Sequence, residues 1–323
     1  MPILLLFFLN PYLFAKEPAF EIVSYNVQNL FDSNHDDGHE DFEFLPIGHP
    51  LKIKGCNKQA YAKRIKCKKL NWSEESVNLK ITQIKKAVGH PDVLAILEIE
   101  NEIVAKKLAL ALGFSNYVVS DFHDGRGITT AFFFRQGKVI RKQEIPIKNS
   151  RSILELKINL RTDETITFFV NHWPSQGHSS YAREEVGKKL FKRVGELRNE
   201  QIVVLGDFNF DPRYEANSFF DSNRLVDLSP IYEVNPGTYF FIPEQKWSGF
   251  DRVLVSKNLM PKIKSFKILK KKELTKIFFL EGKKEEIPFR FNYSTLDSRY
   301  VGFSDHFPVS ISLIFLPIDR KKF

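Results

Sequence analysis

Cysteine, methionine and tryptophan are scarce in this chain of 323 residues, at two, two and three copies. Two cysteines, Cys56 and Cys67, without a histidine beside them do not complete a zinc shell. Internal repeats and low-complexity linkers are absent, which excludes a solenoid and a string of tethered modules. No apolar run is long enough to cross a bilayer. Acidic side chains are in deficit, with 39 Asp and Glu against 48 Lys and Arg, a formal net charge of +9. Such a balance suits a polyanionic partner, nucleic acid or an anionic membrane surface.

Hydrophobic residues make up 43% of the chain, and 31 of them are Phe, ample for the core of one large domain. The first apolar run, Ile3 to Ala15, has the length of a signal-peptide core. No Lys or Arg precedes it and Asn10-Pro11 interrupts it; the competing reading is a buried first strand. Nothing polar alternates through the run, so we expect residues 1–15 to be a signal peptide cleaved after Ala15. Residues 16–323 would form a single domain, exported to the periplasm or the medium. Outside the cytosol, Cys56 and Cys67 would form one disulfide closing a short loop; inside it they would be two free thiols.

Periodicity predicts a strand from Phe20 to Val27 ending in a turn at Gln28-Asn29, then a long irregular loop from Asp32 to Cys67. Val77, Ile81, Ile84 and Val88 recur at helical spacing within Glu74 to Val88. Asp92 to Ile99 is a continuous apolar run, the mark of a strand buried on both faces. A helix is expected from Asn101 to Leu112, stopped by Gly113. Strands follow at Ile128–Arg135, Ser152–Leu160 and Thr165–Asn171, a helix at Tyr181–Arg198, and strands at Gln201–Leu205, Phe250–Ser256 and Phe307–Phe315. Consecutive strands outnumber helices. The expected fold class is therefore α/β, a four-layer sandwich of two packed mixed β-sheets flanked by helices.

Polar residues sit where these strands end. Asn26 lies in SYNVQNLFD and Glu98 in DVLAILEIEN; Asn171 and His172 follow TITFFV in VNHWPS. Asp207 and Asn209 close VVLGDFN, Asp305 and His306 lie in GFSDHFPVSISL, and Asp251 opens a strand in GFDRVLVS. Any one of them alone is an ordinary turn residue. Glu98 is harder to dismiss, because a carboxylate at the end of an apolar strand needs a partner or a metal. Strand ends of a sandwich converge on one rim, so the whole set can meet.

Together with GRGITTAFFFR, these segments resemble, in order and from about Phe20 to Leu313, the endonuclease/exonuclease/phosphatase superfamily, whose fold is that of deoxyribonuclease I. VNHWPS, EIEN and NLFD look most like its bacterial extracellular-type nucleases. The resemblance implies Glu98 as the principal Mg²⁺ ligand, with Asn26 and Asp305 near the same ion and Mn²⁺ or Ca²⁺ as further candidates. It implies His306 against the scissile phosphate with Asp251 behind it, and Asp207 and Asn209 orienting the attacking water and the phosphate. His172 would add a proton or a hydrogen bond, while Arg126 and Asn26 would contact substrate. Leu97 departs from the pattern, standing where many relatives carry Gln. Asp121 or Asp124 is the carboxylate expected beside His172.

A phosphodiester repels nucleophiles, and a metal with cationic side chains offsets that charge and the charge developing in the transition state. The expected function is metal-dependent hydrolysis of nucleic acid, by endonucleolytic cleavage and on DNA more than RNA. The alternative is a lipid phosphodiesterase or inositol-phosphate phosphatase of the same superfamily. No stable protein partner is expected. Two further segments carry open readings. The loop bearing Asp32, His35, Asp36, Asp37, His39, Glu40 and Asp41 is either solvated or holds an extra cation. The basic, aromatic stretch Lys262–Lys284 is either a strand pair with a lysine face or a track for a phosphate backbone.

Overall fold

The computed structural model describes residues 19–148, 150–160, 164–213, 224–230 and 237–315. The expected signal peptide, 1–15, lies outside the described residues. Two six-stranded mixed sheets pack face to face. The first runs in the order β13 (Ile263–Ile268), β16 (Val309–Leu313), β1 (Phe20–Leu30), β2 (Val93–Ile99), β4 (Thr129–Phe134), β3 (Asn116–Val119). The second runs β5 (Lys138–Ile145), β6 (Ile153–Asn159), β7 (Thr165–His172), β8 (Gln201–Asp207), β12 (Asp251–Ser256), β9 (Leu225–Asp227). Two hairpins stand apart, β10 (Tyr239–Phe241) with β11 (Lys246–Ser248) and β14 (Thr275–Leu280) with β15 (Lys283–Pro288).

The four layers follow from alternation along each strand. In β8, Val203 and Leu205 face the other sheet, while Ile202 and Val204 face helix α5 (Ser180–Glu196). In β2, Leu94 and Ile96 face α3 (Glu74–Val88) and α4 (Glu102–Leu112), and Val93, Ala95 and Leu97 face the second sheet. Each fully buried Leu, Ile or Phe on these faces contributes roughly 1.5–3 kcal/mol relative to exposure. α3 begins in a reciprocal Ser73–Ser76 capping box and stops at Gly89; α4 starts under the Asn101 side chain and stops at left-handed Gly113. Local signals and packing agree at both ends.

Each sheet holds one parallel pair at its centre, β1 with β2 and β7 with β8, joined through α3 and α5. In open α/β sheets, ligand sites form outside the carboxyl ends of parallel strands. Here those ends carry Asn26, Glu98, His172 and Asp207.

Residues 32–67, expected as one irregular loop, hold α1 (Pro50–Cys56) and α2 (Tyr61–Lys69). Their lysine-rich turns lack the apolar stripe that periodicity detects, so packing rather than pattern makes them helical. The Lys52 ammonium is buried and donates to the carbonyls of Phe42, Glu43 and Leu45 at 3.3, 3.0 and 2.7 Å. Gly55 lets α1 lie on Phe42, whose ring a Cβ there would meet at 2.1 Å. The acidic, histidine-rich loop is solvated only in part: Asp37 and Glu40 are exposed. Asp32 and Asp41 are buried, and the Asn101 amide reaches Asp32, Asp36 and Glu100 at 3.2, 3.0 and 3.4 Å. Burial pushes Glu100 up to about 10, so a neutral carboxyl sits among these acids near neutral pH. Among the described residues no three His, Cys, Asp or Glu group so as to hold a metal. Lys262–Lys284 forms β13, β14 and the start of β15, the strand-pair reading.

Cys56 and Cys67 form a disulfide that ties α1 to α2, with Cα atoms 5.6 Å apart. Protein from an oxidising compartment should show an intact mass lower by two hydrogens than its reduced form. Reduction should cost about 3 kcal/mol of stability by the loop-entropy argument. Two freely alkylatable thiols in the native protein would contradict the pairing.

Candidate active site

Glu98 owes its position to a bulge. Alternation along β2 would send its side chain toward α3 and Ile99 into the space between the sheets. Instead Ile99 faces the helices, and the register of β2 shifts between Leu97 and Ile99 on β4 and alongside it on β1. Glu98 is the extra residue, with left-handed φ of 66°, and its carboxylate is released onto the rim. Leu97, lacking the polar group of the expected Gln, packs between the sheets. The carboxylate is held from β1 instead: Oε2 accepts from the Asn29 backbone at 2.9 Å and Oε1 from the Asn26 amide at 3.3 Å. Gln28, Asn29 and Asn209 on the same rim also have positive φ. Such strain is retained where surrounding structure over-determines it.

The Asn26 amide donates a second bond, at 3.0 Å, to Asp207 Oδ2 at the end of β8. Asp207 also accepts from the Asn209 backbone at 2.8 Å and the Asn209 amide at 3.2 Å. Gly206, before it, has φ of 137°, and a Cβ there would meet the Asn171 carbonyl oxygen at 1.9 Å. Only glycine allows β7 and β8 to end this close together. His172, at the end of β7, places Nε2 3.8 Å from Glu98 and 3.7 Å from Asp207. These are its carboxylate neighbours; Asp121 pairs with Lys142, and Asp124 with Arg151 and Arg126.

His306 lies opposite, its Nδ1 2.7 Å from Asp251 Oδ2 and its Nε2 3.9 Å from Asp207. Asp251 faces Asp207 across the β12–β8 register and accepts from Thr238 Oγ1 at 2.6 Å. The Gly302–His306 loop is pinned from three sides. Ser304 donates to the Asn26 carbonyl at 2.7 Å, buried Lys80 of α3 to the Phe303 carbonyl at 2.9 Å, and Gln83 to the Gly302 carbonyl at 2.9 Å. Asp305 accepts from Arg290 at 2.9 Å.

Asn26, Glu98, Arg126, His172, Asp207, Asn209, Asp305 and His306 therefore line one open cleft of about 1090 Å³, with Asp251 directly behind His306. No residue of Lys262–Lys284 lines it. Sequence reasoning missed Arg151, Thr238, Lys80 and Lys63. Arg151 is buried, lines the cleft and donates to the His172 and Trp173 carbonyls, both at 3.3 Å. A lone Arg, Thr or Lys carries no local signal of such a task.

Mg²⁺ binds through one or two carboxylates and keeps several waters, and the donors on this rim fit that habit. Glu98 is half-buried and faces the cleft. Asn26 turns its Nδ2 toward the carboxylates and its oxygen to the backbone N–H of Gln28, so it orients Glu98 more than it offers a ligand. Asp305 reaches the same cleft but is shared with Arg290.

The two histidines are driven apart. Burial alone would lower His306, but Asp251, Asp207 and Asp305 raise it to about 10. Burial, reinforced by Arg151, His306 and Arg126, holds His172 well below the usual range. Burial pushes Asp207 up to about 7, against the pull of His306 and the Asn209 and Asn26 hydrogen bonds. The cleft thus offers a cationic imidazole, a neutral one and a carboxylate ready to take a proton. In metal-free protein near neutral pH, ring ¹⁵N shifts should report His306 as imidazolium and His172 as neutral. The His306 contribution to stability should be complete below pH ~6.5 and vanish as pH rises through its folded value. The reverse protonation pattern would refute this assignment.

Comparison with known proteins bears on this geometry. No curated protein matches the sequence. An endonuclease/exonuclease/phosphatase family protein from Bacteroides thetaiotaomicron superposes with TM-score 0.57 at 18% identity, covering 93% of this chain and 98% of that one. A mannosyl-6-phosphatase from the same organism gives 0.54 at 19%, covering 92% and 100%. D. rerio TDP2, solved with a single-strand DNA product, gives 0.57 at 13%, covering 92% and 99%. Identities this low show a shared fold and nothing finer. A model described as the Endonuclease/Exonuclease/phosphatase family matches residues 21–314, and this chain belongs to that family.

Proposed function

We propose that this phosphoesterase is a divalent-metal-dependent phosphodiesterase that cuts nucleic acid internally, DNA in preference to RNA, outside the cytosol. The observation that carries the reading is the shape and charge of the cleft. It is open, larger than most single-ligand pockets, and four cations are spread along it: Lys63 from α2, Arg126 and Arg151, which share Asp124, from the strand-end loops, and Lys246 from β11. A run of phosphates makes use of such spread; a lone phosphomonoester does not. The Cys56–Cys67 disulfide supports export, since such bonds persist outside the reducing cytosol.

Glu98 would hold Mg²⁺, with Mn²⁺ or Ca²⁺ as substitutes, and Asn26 and Asp305 beside it. The ion would supply a Lewis acid that neutralises charge on the phosphate and the leaving oxygen. His306, kept cationic by Asp251, would hydrogen-bond a non-bridging phosphate oxygen and stabilise charge as the attacking bond forms. Asp207, aligned by Asn209 and Asn26 and raised by burial, would take the proton of the attacking water. Neutral His172, with Nε2 toward Glu98 and Asp207, would bind a second phosphate oxygen. Arg126 would clamp the neighbouring phosphate.

Glu98→Ala should remove turnover at low Mg²⁺ and leave a folded protein. His306→Ala should lose about 10²–10⁴-fold in rate, with no rescue by added metal. Both are to be measured on plasmid, RNA, sphingomyelin vesicles and inositol phosphates, each with Mg²⁺ or EDTA. Hydrolysis of sphingomyelin or inositol phosphate with plasmid and RNA intact would sink the nuclease reading. Near-parental rates in both variants would sink the site.

A further inference from the structure

The net charge of this protein has an address. Pro50–Leu70 carries eight Lys and Arg and no Asp or Glu; the rest of the chain holds forty against 39. That stretch is the α1–α2 pair closed by the Cys56–Cys67 disulfide. Lys52 is spent inside, on three carbonyls, Arg64 donates to the Gln59 carbonyl, and Lys66 pairs with Glu43. Lys54, Lys58, Lys63 and Lys69 are exposed and Lys68 half-exposed, and none of these five forms an ion pair or hydrogen bond with a described residue. Lys54, Lys68 and Lys69 lie in the last turns of their helices, which favour cations, and Lys58 lies over the Phe42 ring, but eight like charges on one short segment still repel one another. Lys63 lies on the wall of the catalytic cleft, which makes the cationic surface continuous with the site.

We infer that the disulfide-closed α1–α2 clip is a docking surface for a nucleic-acid strand, tracking its phosphates where the strand leaves the cleft. The inference rests on the nuclease reading above. Exposed Tyr61, 74% accessible, stands among the lysines as an aromatic face on which a base can stack. The same composition would suit an anionic bilayer. Continuity with the cleft favours the strand, because a polymer presents evenly spaced charges from the scissile bond outward and a single headgroup presents one.

The test uses the full oxidised chain and a variant carrying Lys54→Gln, Lys58→Gln, Lys68→Gln and Lys69→Gln, none of which lines the cleft. Binding of a labelled single-stranded oligodeoxynucleotide is followed by anisotropy in EDTA across a salt series. The slope of log affinity against log salt should flatten by about 0.7 for each phosphate that the variant no longer neutralises, roughly 3 in all. Turnover of bis(p-nitrophenyl) phosphate and melting temperature should stay at parental values. Equal slopes for parent and variant, or no oligonucleotide binding by the parent, would overturn the inference. So would anionic phosphatidylglycerol vesicles retaining the parent and releasing the variant while oligonucleotide affinity is unchanged. Because binding is read without cleavage, a parent that binds through the clip and leaves DNA and RNA uncut sinks the nuclease reading and spares the clip.

Discussion

One side-chain amide joins the two halves of this molecule where it matters. Asn26, buried at the rim of the first sheet, donates both its N–H groups, to Glu98 in its own sheet and to Asp207 in the other. A buried amide must find partners, and buried carboxylates must find donors, so each of the three satisfies the others. The distance between the sheets is set by apolar packing at about 10 Å. The amide converts that general spacing into a fixed relation between two particular carboxylates. Everything else at the rim is arranged around this link. The Glu98 bulge delivers one carboxylate, the Gly206 contact delivers the other, and Ser304 ties the His306 loop to the Asn26 carbonyl.

That link also sets the electrostatics. Asp207 and Asp251 face each other across a strand pair, and bringing two acids together at a buried site raises the cost of ionising both. His306 stands between them and answers that cost, and is itself raised by it. His172 is lowered first by its burial and then by Arg151, which donates to its backbone carbonyl. Burial lowers both, but Asp251, Asp207 and Asp305 outweigh it at His306, whereas Arg151 and Arg126 add to it at His172.

Much of this is legible in the sequence, for reasons that particular residues make plain. α3 is readable because Val77, Ile81, Ile84 and Val88 mark its buried face. The rim residues are readable because a polar side chain ending an apolar strand is conspicuous, as at Glu98 and Asp207. Short edge strands such as β3, β9 and β13 are not: their residues are only partly buried and alternate weakly. α1 and α2 are hidden because disulfide and carbonyl contacts hold them rather than an apolar stripe. Partners distant in sequence, such as Thr238 for Asp251 or Lys80 for the Phe303 carbonyl, leave no local trace. The acidic loop is solvated at Asp37 and Glu40 as its composition suggests, but composition reports charge and not burial and so misses Asp32 and Asp41.

Charge in this protein is sorted by what holds it. Cations inside the fold, Lys52, Lys80 and Arg151, donate to backbone carbonyls and so fix loops, Arg151 pairing with Asp124 as well. Acids inside the fold pair with arginines, as Glu155 does with Arg141 and Arg193, stay protonated, as Glu100 does, or line the rim around Asn26. A cluster of unpaired cations is gathered on the segment that the disulfide closes and that touches the cleft. A helix pair of net positive charge resists its own packing, and a covalent tie between its two members is the simplest way to keep it folded. The disulfide and the charge are then one feature: the first makes the second tolerable, and the second gives the first a reason to lie beside the site.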